Sequence, residues 1–160
     1  MSMTDLYQFA LNHKDNANKF FQEKQYVQAF ELYHRSLCYI LNFINDDPSK
    51  DHQELLEKSN DLVSSIYSNM AACQLIYENN LAVIENCSAA LQINPLFAKA
   101  LFRRASAYAN LNDYELALKD LQLAHKLQPN DQKIDELIKQ TKQRLDHYEK
   151  NLSKSLKNLF

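Results

Sequence analysis

Ala90-Leu91-Gln92-Ile93-Asn94-Pro95 returns 34 residues later as Ala124-His125-Lys126-Leu127-Gln128-Pro129. The small residue and the proline keep their places, and apolar Ile93 becomes apolar Leu127. The same offset pairs Ala71 with Ala105 and Ile84 with Leu118. A fixed period of this length marks a stacked repeat built from helix pairs. Each unit reads as two amphipathic helices around a polar turn. In the last unit the turn is Leu111-Asn112-Asp113, where asparagine can take the left-handed backbone that glycine usually supplies.

A third copy lies upstream at an offset of 54, one period plus an insert of 20. It pairs Ala17 with Ala71, Phe21 with Leu75, Phe30 with Ile84 and Leu37 with Leu91. The insert contains the turn-forming run Asn45-Asp46-Asp47-Pro48-Ser49-Lys50-Asp51. Its flanks, Cys38 to Ile44 and Glu54 to Val63, read as extensions of the second and third helices. Downstream, Ile134, Leu137, Ile138, Leu145, Tyr148, Leu152 and Leu156 recur at helical spacing after Pro129, with Asp131 placed to cap. A solenoid must cover its last apolar face, so this segment predicts a capping helix. The expected fold class is all-α: an alpha-alpha superhelix (solenoid) of three helix pairs plus a C-terminal capping helix. As a single domain over 1–160, it divides into repeat 1 at about 10–43, loop and extensions at 44–63, repeat 2 at 64–97, repeat 3 at 98–131 and the cap at 131–158. The mildly basic end, Lys150 to Phe160, is expected to be a solvated helix end.

Composition narrows the function. The chain has no glycine, and phosphate-cradling loops, nucleophile elbows and dinucleotide fingerprints all require it. His13, His34, His52, His125 and His147 have no nucleophile partner at a recognisable spacing, so surface or rim positions are expected for them. The nine tyrosines are expected mostly at core-facing positions. Cys38, Cys73 and Cys87 sit in apolar stretches without a Cys-x-x-Cys pair; each is expected to be a buried thiol, with no metal and no disulfide. Net charge is −2, which argues against a dedicated nucleic-acid or membrane-surface protein. No run is long and apolar enough to span a bilayer, and no secretory signal is read at the start. The expectation is a cytoplasmic protein, monomeric, without a cofactor, that binds a partner and is not an enzyme. The alternative is a scaffold that binds a different partner or self-associates through its terminal helix.

The repeat pattern resembles the tetratricopeptide family. Ala17, Phe20, Ala29, Tyr33 and Ser36 occupy its signature positions in the first repeat. Ala71, Gln74, Val83, Cys87, Ala90 and Pro95 do so in the second, and Ala105, Tyr108, Ala117, Leu121, Ala124 and Pro129 in the third. Gln74 and Val83 depart from the usual aromatic and alanine, and the first repeat lacks the terminal proline. Asn69 to Leu75, Lys99 to Arg104, Tyr114 to Ala117 and the long insert are similar to the corresponding domains of large immunophilins and related co-chaperones.

Stacked repeats leave a groove lined by the first helix of each pair. The signature positions face the core, so other positions face the groove. Asn69 and Arg103 are period equivalents, Lys99 lies four residues before Arg103, and Lys14 lies four before Asn18. Three cations and two amides are thus expected along one groove. In the proteins this chain resembles, such a Lys-Asn-Asn-Lys-Arg set is a carboxylate clamp for the Glu-Glu-Val-Asp tail of the cytosolic heat-shock proteins 90 and 70. The resemblance implies that Lys14, Asn18, Asn69, Lys99 and Arg103 hold such a tail. Phe21 and Ala72, one step along the same face, are the expected wall for an apolar side chain.

Overall fold

Three turns build the molecule, and none contains glycine. Lys24, Glu78 and Asn112 have φ of 61°, 55° and 65°. They stand at equivalent places in the three repeats, and each ends a first helix. The next residue donates its N–H five residues back in every case: Gln25 to Phe20 (2.8 Å), Asn79 to Gln74 (3.1 Å) and Asp113 to Tyr108 (2.8 Å). This is the Schellman closure, which satisfies the orphan carbonyls of a helix end. The sequence signals it at Asn112. At Lys24 and Glu78 a β-carbon must tolerate the left-handed region at a cost of about 1–2 kcal/mol.

The computed structural model describes residues 3–46 and 53–159. Among them are seven helices and no strand: α1 (Met3–Gln22), α2 (Tyr26–Asp46), α3 (Gln53–Ile76), α4 (Asn80–Ile93), α5 (Ala98–Asn110), α6 (Tyr114–Leu127) and α7 (Gln132–Lys157). The helices beside the insert, α2 and α3, run 21 and 24 residues against 14 and 13 for α4 and α5. Most of the expected polar loop, together with His52 and Phe160, lies outside the described residues.

Each helix packs on the next, and α1, α3, α5 and α7 also touch in order. Among the described residues the even helices make no such contacts with one another. The odd helices therefore form the closer, inner layer, and the concave face is theirs.

Small residues set the spacing within each pair. Ser36 Oγ donates to the Ala10 carbonyl, linking α2 to α1. Ser64 Oγ donates to the Ala90 carbonyl at 3.1 Å, linking α3 to α4. Positions 10 and 64 are repeat equivalents, as are 36 and 90, so the bond is the same one with donor and acceptor exchanged. The third pair puts Ala98 against Ala124 in this register. All six residues are buried, the most exposed being Ala98 at 8%. Small side chains let the backbones approach here, and each buried hydroxyl is satisfied.

The signature positions Ala17, Ala29, Tyr33, Ser36, Ala71, Val83, Cys87, Ala90, Ala105, Ala117, Leu121 and Ala124 are all buried. They fall in two core clusters, and Tyr67 packs against both.

Two expectations need correction. Cys38 is exposed, because Tyr33, Ser36, Leu37 and Ile40 form the buried stripe of α2 and Cys38 falls outside it. Its Sγ lies 3.9 Å from His34 Nδ1. The tyrosines mostly face the core as expected: Tyr33 and Tyr114 are buried and Tyr7, Tyr39, Tyr67 and Tyr108 pack against it, while Tyr77 and Tyr148 are 60% and 53% exposed. The core is covered by the first half of α7, and beyond it the Tyr148 ring meets Tyr114 edge-on at 6.3 Å. Asp131 accepts from the Lys133 N–H at 2.9 Å, Ile134 and Thr141 are buried, and Leu137 and Ile138 pack on the core. Tyr148, Leu152 and Leu156 remain exposed. The reason is length, since the 26 residues of α7 span about 39 Å and the 14 of α6 about 21 Å.

Candidate peptide-binding groove

The inner layer carries all seven residues singled out from the sequence. Lys14, Asn18 and Phe21 lie on α1, Asn69 and Ala72 on α3, and Lys99 and Arg103 on α5. Their side chains are arranged in two connected parts and one outlier.

The first part is an amide pair. Asn69 Nδ2 donates to Asn18 Oδ1 at 3.3 Å, and the Tyr33 hydroxyl donates to the same oxygen at 2.6 Å. Two donors on Oδ1 fix which way the Asn18 amide faces. Its oxygen is consumed, so the Asn18 NH₂ is the end left to meet a ligand, and it is a donor. Burial pushes the Tyr33 phenol up to about 12, with Cys73 adding to the rise and Arg103 opposing it. The phenol therefore stays protonated and keeps donating. Tyr33 entered the sequence reading only as a signature position. Its partner lies 15 residues away on the neighbouring antiparallel helix, where no local spacing signals it.

The second part is a cationic cavity of about 370 Å³. Phe21, Ala72, Lys99 and Arg103 all line it, with Leu75 and Phe102. Arg103 is half-buried, and its Nη1 donates to the carbonyl (2.8 Å) and the hydroxyl of Ser68. Both acceptors are neutral. Among the described residues no carboxylate lies within 4.0 Å of Arg103 or Lys99. Burial pulls the Arg103 guanidinium below its ordinary value. A partly desolvated cation without a counter-ion favours an anionic ligand, which supplies what water no longer does. Arg103 also comes near the buried thiols Cys73 and Cys87, which burial raises to about 11 and about 12. Both are neutral at physiological pH and offer no charge to Arg103.

Lys14 is the outlier. It lies one turn before Asn18, and its amine is 4.0 Å from Asp15 of its own helix, with the side chain 20% exposed. Among the described residues no hydrogen bond ties it to the amide pair, and it does not line the cavity. The first turn of α7 also reaches the cavity, through Asp131, Lys133 and Ile134.

Arg104 follows Arg103 and serves the opposite purpose. Its Nε and Nη2 donate to the two Asp120 oxygens at 2.7 and 2.8 Å, and its Nη1 donates to Ser88 Oγ at 3.1 Å. The guanidinium also lies 6.0 Å from the Tyr108 ring centre. This charge is neutralised within the fold.

Residues 98–131 match the tetratricopeptide repeat model. The chain is 31% identical over 147 residues to the Hsp70/Hsp90 co-chaperone cns1 of Schizosaccharomyces pombe, a match covering 92% of this chain. It spans 37% of that relative's length and smaller shares of others, down to 12%. The C-terminal tetratricopeptide-containing domain of a putative FK506-binding protein from Plasmodium falciparum superposes with a TM-score of 0.84 at 25% identity, covering 94% of this chain and 97% of that one. The myosin chaperone UNC-45 of C. elegans, solved in complex with an Hsp90 peptide, superposes with a TM-score of 0.71 at 26% identity, covering 87% of this chain and 14% of that one. Residues 98–131 are a tetratricopeptide repeat, and the described chain is a tetratricopeptide-type helical solenoid.

Proposed function

We propose that this chain is a co-chaperone adaptor domain that holds the free C-terminal carboxylates of an acidic chaperone tail. The observation that carries the reading is Arg103: a half-buried cation in a cavity with Lys99, bonded only to neutral acceptors and set beside an amide pair that presents donors. A C-terminal aspartate brings two carboxylates close together. Asn18 and Asn69 offer directed donors, Lys14 and Lys99 mobile charge, and Arg103 a planar fork. The apolar wall of Phe21 and Ala72 receives the neighbouring side chain. Charge-assisted bonds contribute about 1.5–3 kcal/mol each before the peptide's ordering costs, which leaves an affinity of roughly micromolar order. Heat-shock protein 90 and heat-shock protein 70 tails ending in Glu-Glu-Val-Asp fit this chemistry. The similarity to an Hsp70/Hsp90 co-chaperone and to a chaperone solved with an Hsp90 peptide supports the choice. The domain acts by binding, with no catalytic step, and it works in the cytoplasm, where those tails are.

The test is a titration with a Glu-Glu-Val-Asp peptide as the free acid and as the C-terminal amide. Amidation removes one of the two terminal charges and is expected to weaken binding at least 10-fold. Equal affinity for both forms would rule out terminal-carboxylate recognition.

A second reading has its own support. Tyr148, Leu152, Leu156 and Leu159 form an exposed apolar stripe on the free half of α7. A second copy could pack there, and sedimentation across a concentration series would show a rising mass.

A further inference from the structure

Residue 133 stands 34 places after Lys99, and it too is a lysine. The period that lays α3 on α5 therefore runs on into α7, where Gln132-Lys133-Ile134 falls on Ala98-Lys99-Ala100. The structure follows that register. α7 touches α5 as α5 touches α3. Ile134 is 1% exposed and Ala100 is 0%, so the equivalent positions are both core. Lys133 lines the cavity that Lys99 and Arg103 line. Among the described residues no carboxylate lies within 4.0 Å of the Lys133 amine. Asp131 borders the cavity, but its carboxylate is engaged as the helix cap, accepting from the Lys133 N–H at 2.9 Å. Among the described residues α7 thus offers the groove a lysine without an ion-pair partner, beside the capping carboxylate of Asp131.

We propose that α7 is a fourth binding helix and that Lys133 holds an acidic side chain of the bound tail, two or three residues before its terminus. The inference rests on the carboxylate reading above. The terminal residue is served by the five residues on α1, α3 and α5. Lys133 lies one helix further along the layer, about 8–10 Å away on ordinary helix spacing. An extended peptide covers about 3.3–3.6 Å per residue, so that spacing corresponds to two or three residues. In a tail ending Glu-Glu-Val-Asp those positions are the two glutamates.

The experiment is a fluorescence-anisotropy titration of the whole chain with two free-acid peptides. One ends in Glu-Glu-Val-Asp; the other has both glutamates replaced by glutamine. Wild type, Lys133→Ala, Lys133→Arg and Arg103→Ala are compared after melting curves show that each is folded. Lys133→Ala is expected to weaken the acidic peptide about 5-fold, the size of a partly exposed charge pair, and to leave the glutamine peptide unchanged. Lys133→Arg is expected to hold the wild-type affinity. The proposal is overturned if Lys133→Ala costs both peptides equally. It is also overturned if Lys133→Ala costs neither while Arg103→Ala still weakens both. If Arg103→Ala weakens neither, the carboxylate reading itself fails, and this inference with it.

Discussion

Arg103 and Arg104 are neighbours in sequence and about 100° apart around one helix. Arg104 meets both oxygens of Asp120, a residue 6% exposed, and also Ser88. Among the described residues Arg103 donates only to Ser68. One charge is consumed in holding α5 to α6, and the other is held in place by neutral groups and left without a counter-ion. The difference separates a structural cation from a binding one. Charge alone does not distinguish them. What distinguishes them is whether the fold supplies the anion.

The largest expected effect breaks this pair apart. Arg104→Ala strands Asp120 as a buried, unpaired carboxylate and should cost about 3 kcal/mol of stability in denaturant unfolding. Arg103→Ala removes a cation whose partners are neutral and should cost no more than about 1 kcal/mol. Equal losses in the two variants would remove the distinction.

A smaller effect sharpens the inner side. Tyr33→Phe deletes the hydroxyl that donates to Asn18 Oδ1. Without it the Asn18 amide is free to turn. The variant is expected to lose about 1 kcal/mol of stability and to bind an acidic tail several-fold more weakly. Unfolding and peptide titration, run on the same preparation, measure both losses. A loss of stability with unchanged binding would show that Tyr33 does not orient the groove.

These two sites also show what was legible beforehand. The 34-residue period carried the repeat register, and with it which positions face the core and which face the inner layer. Lys99 and Arg103, one turn apart on α5, could therefore be placed together. The partners that decide their roles were not legible. Ser68 lies 35 residues before Arg103 and Asp120 lies 16 after Arg104, each on a neighbouring helix. Spacing within one helix says nothing about such pairs. Cys38 was misplaced for a related reason: apolar neighbours in sequence do not share a helix face. The left-handed turns at Lys24 and Glu78 carried no signal, because neither residue type favours that backbone. The second half of α7 keeps its apolar period past the end of the core cluster, so periodicity alone overstated the cap.

The smallest effect lies away from both arginines. Glu78→Gly relieves the β-carbon strain at φ 55° and adds some entropy to the unfolded chain. The balance should raise stability by about 0.5 kcal/mol, seen as a higher denaturant midpoint with peptide affinity unchanged. A lower midpoint would mean that the Glu78 side chain contributes more than its backbone costs.

The account turns on whether Arg103 is held for an anionic ligand. Its most direct test is an equilibrium titration of wild type and Arg103→Ala, side by side, with a free-acid Glu-Glu-Val-Asp peptide. The account predicts binding of roughly micromolar order for wild type and at least 30-fold weaker binding for the variant, a loss of about 2 kcal/mol, with both proteins folded. Equal affinity in two folded proteins would contradict it.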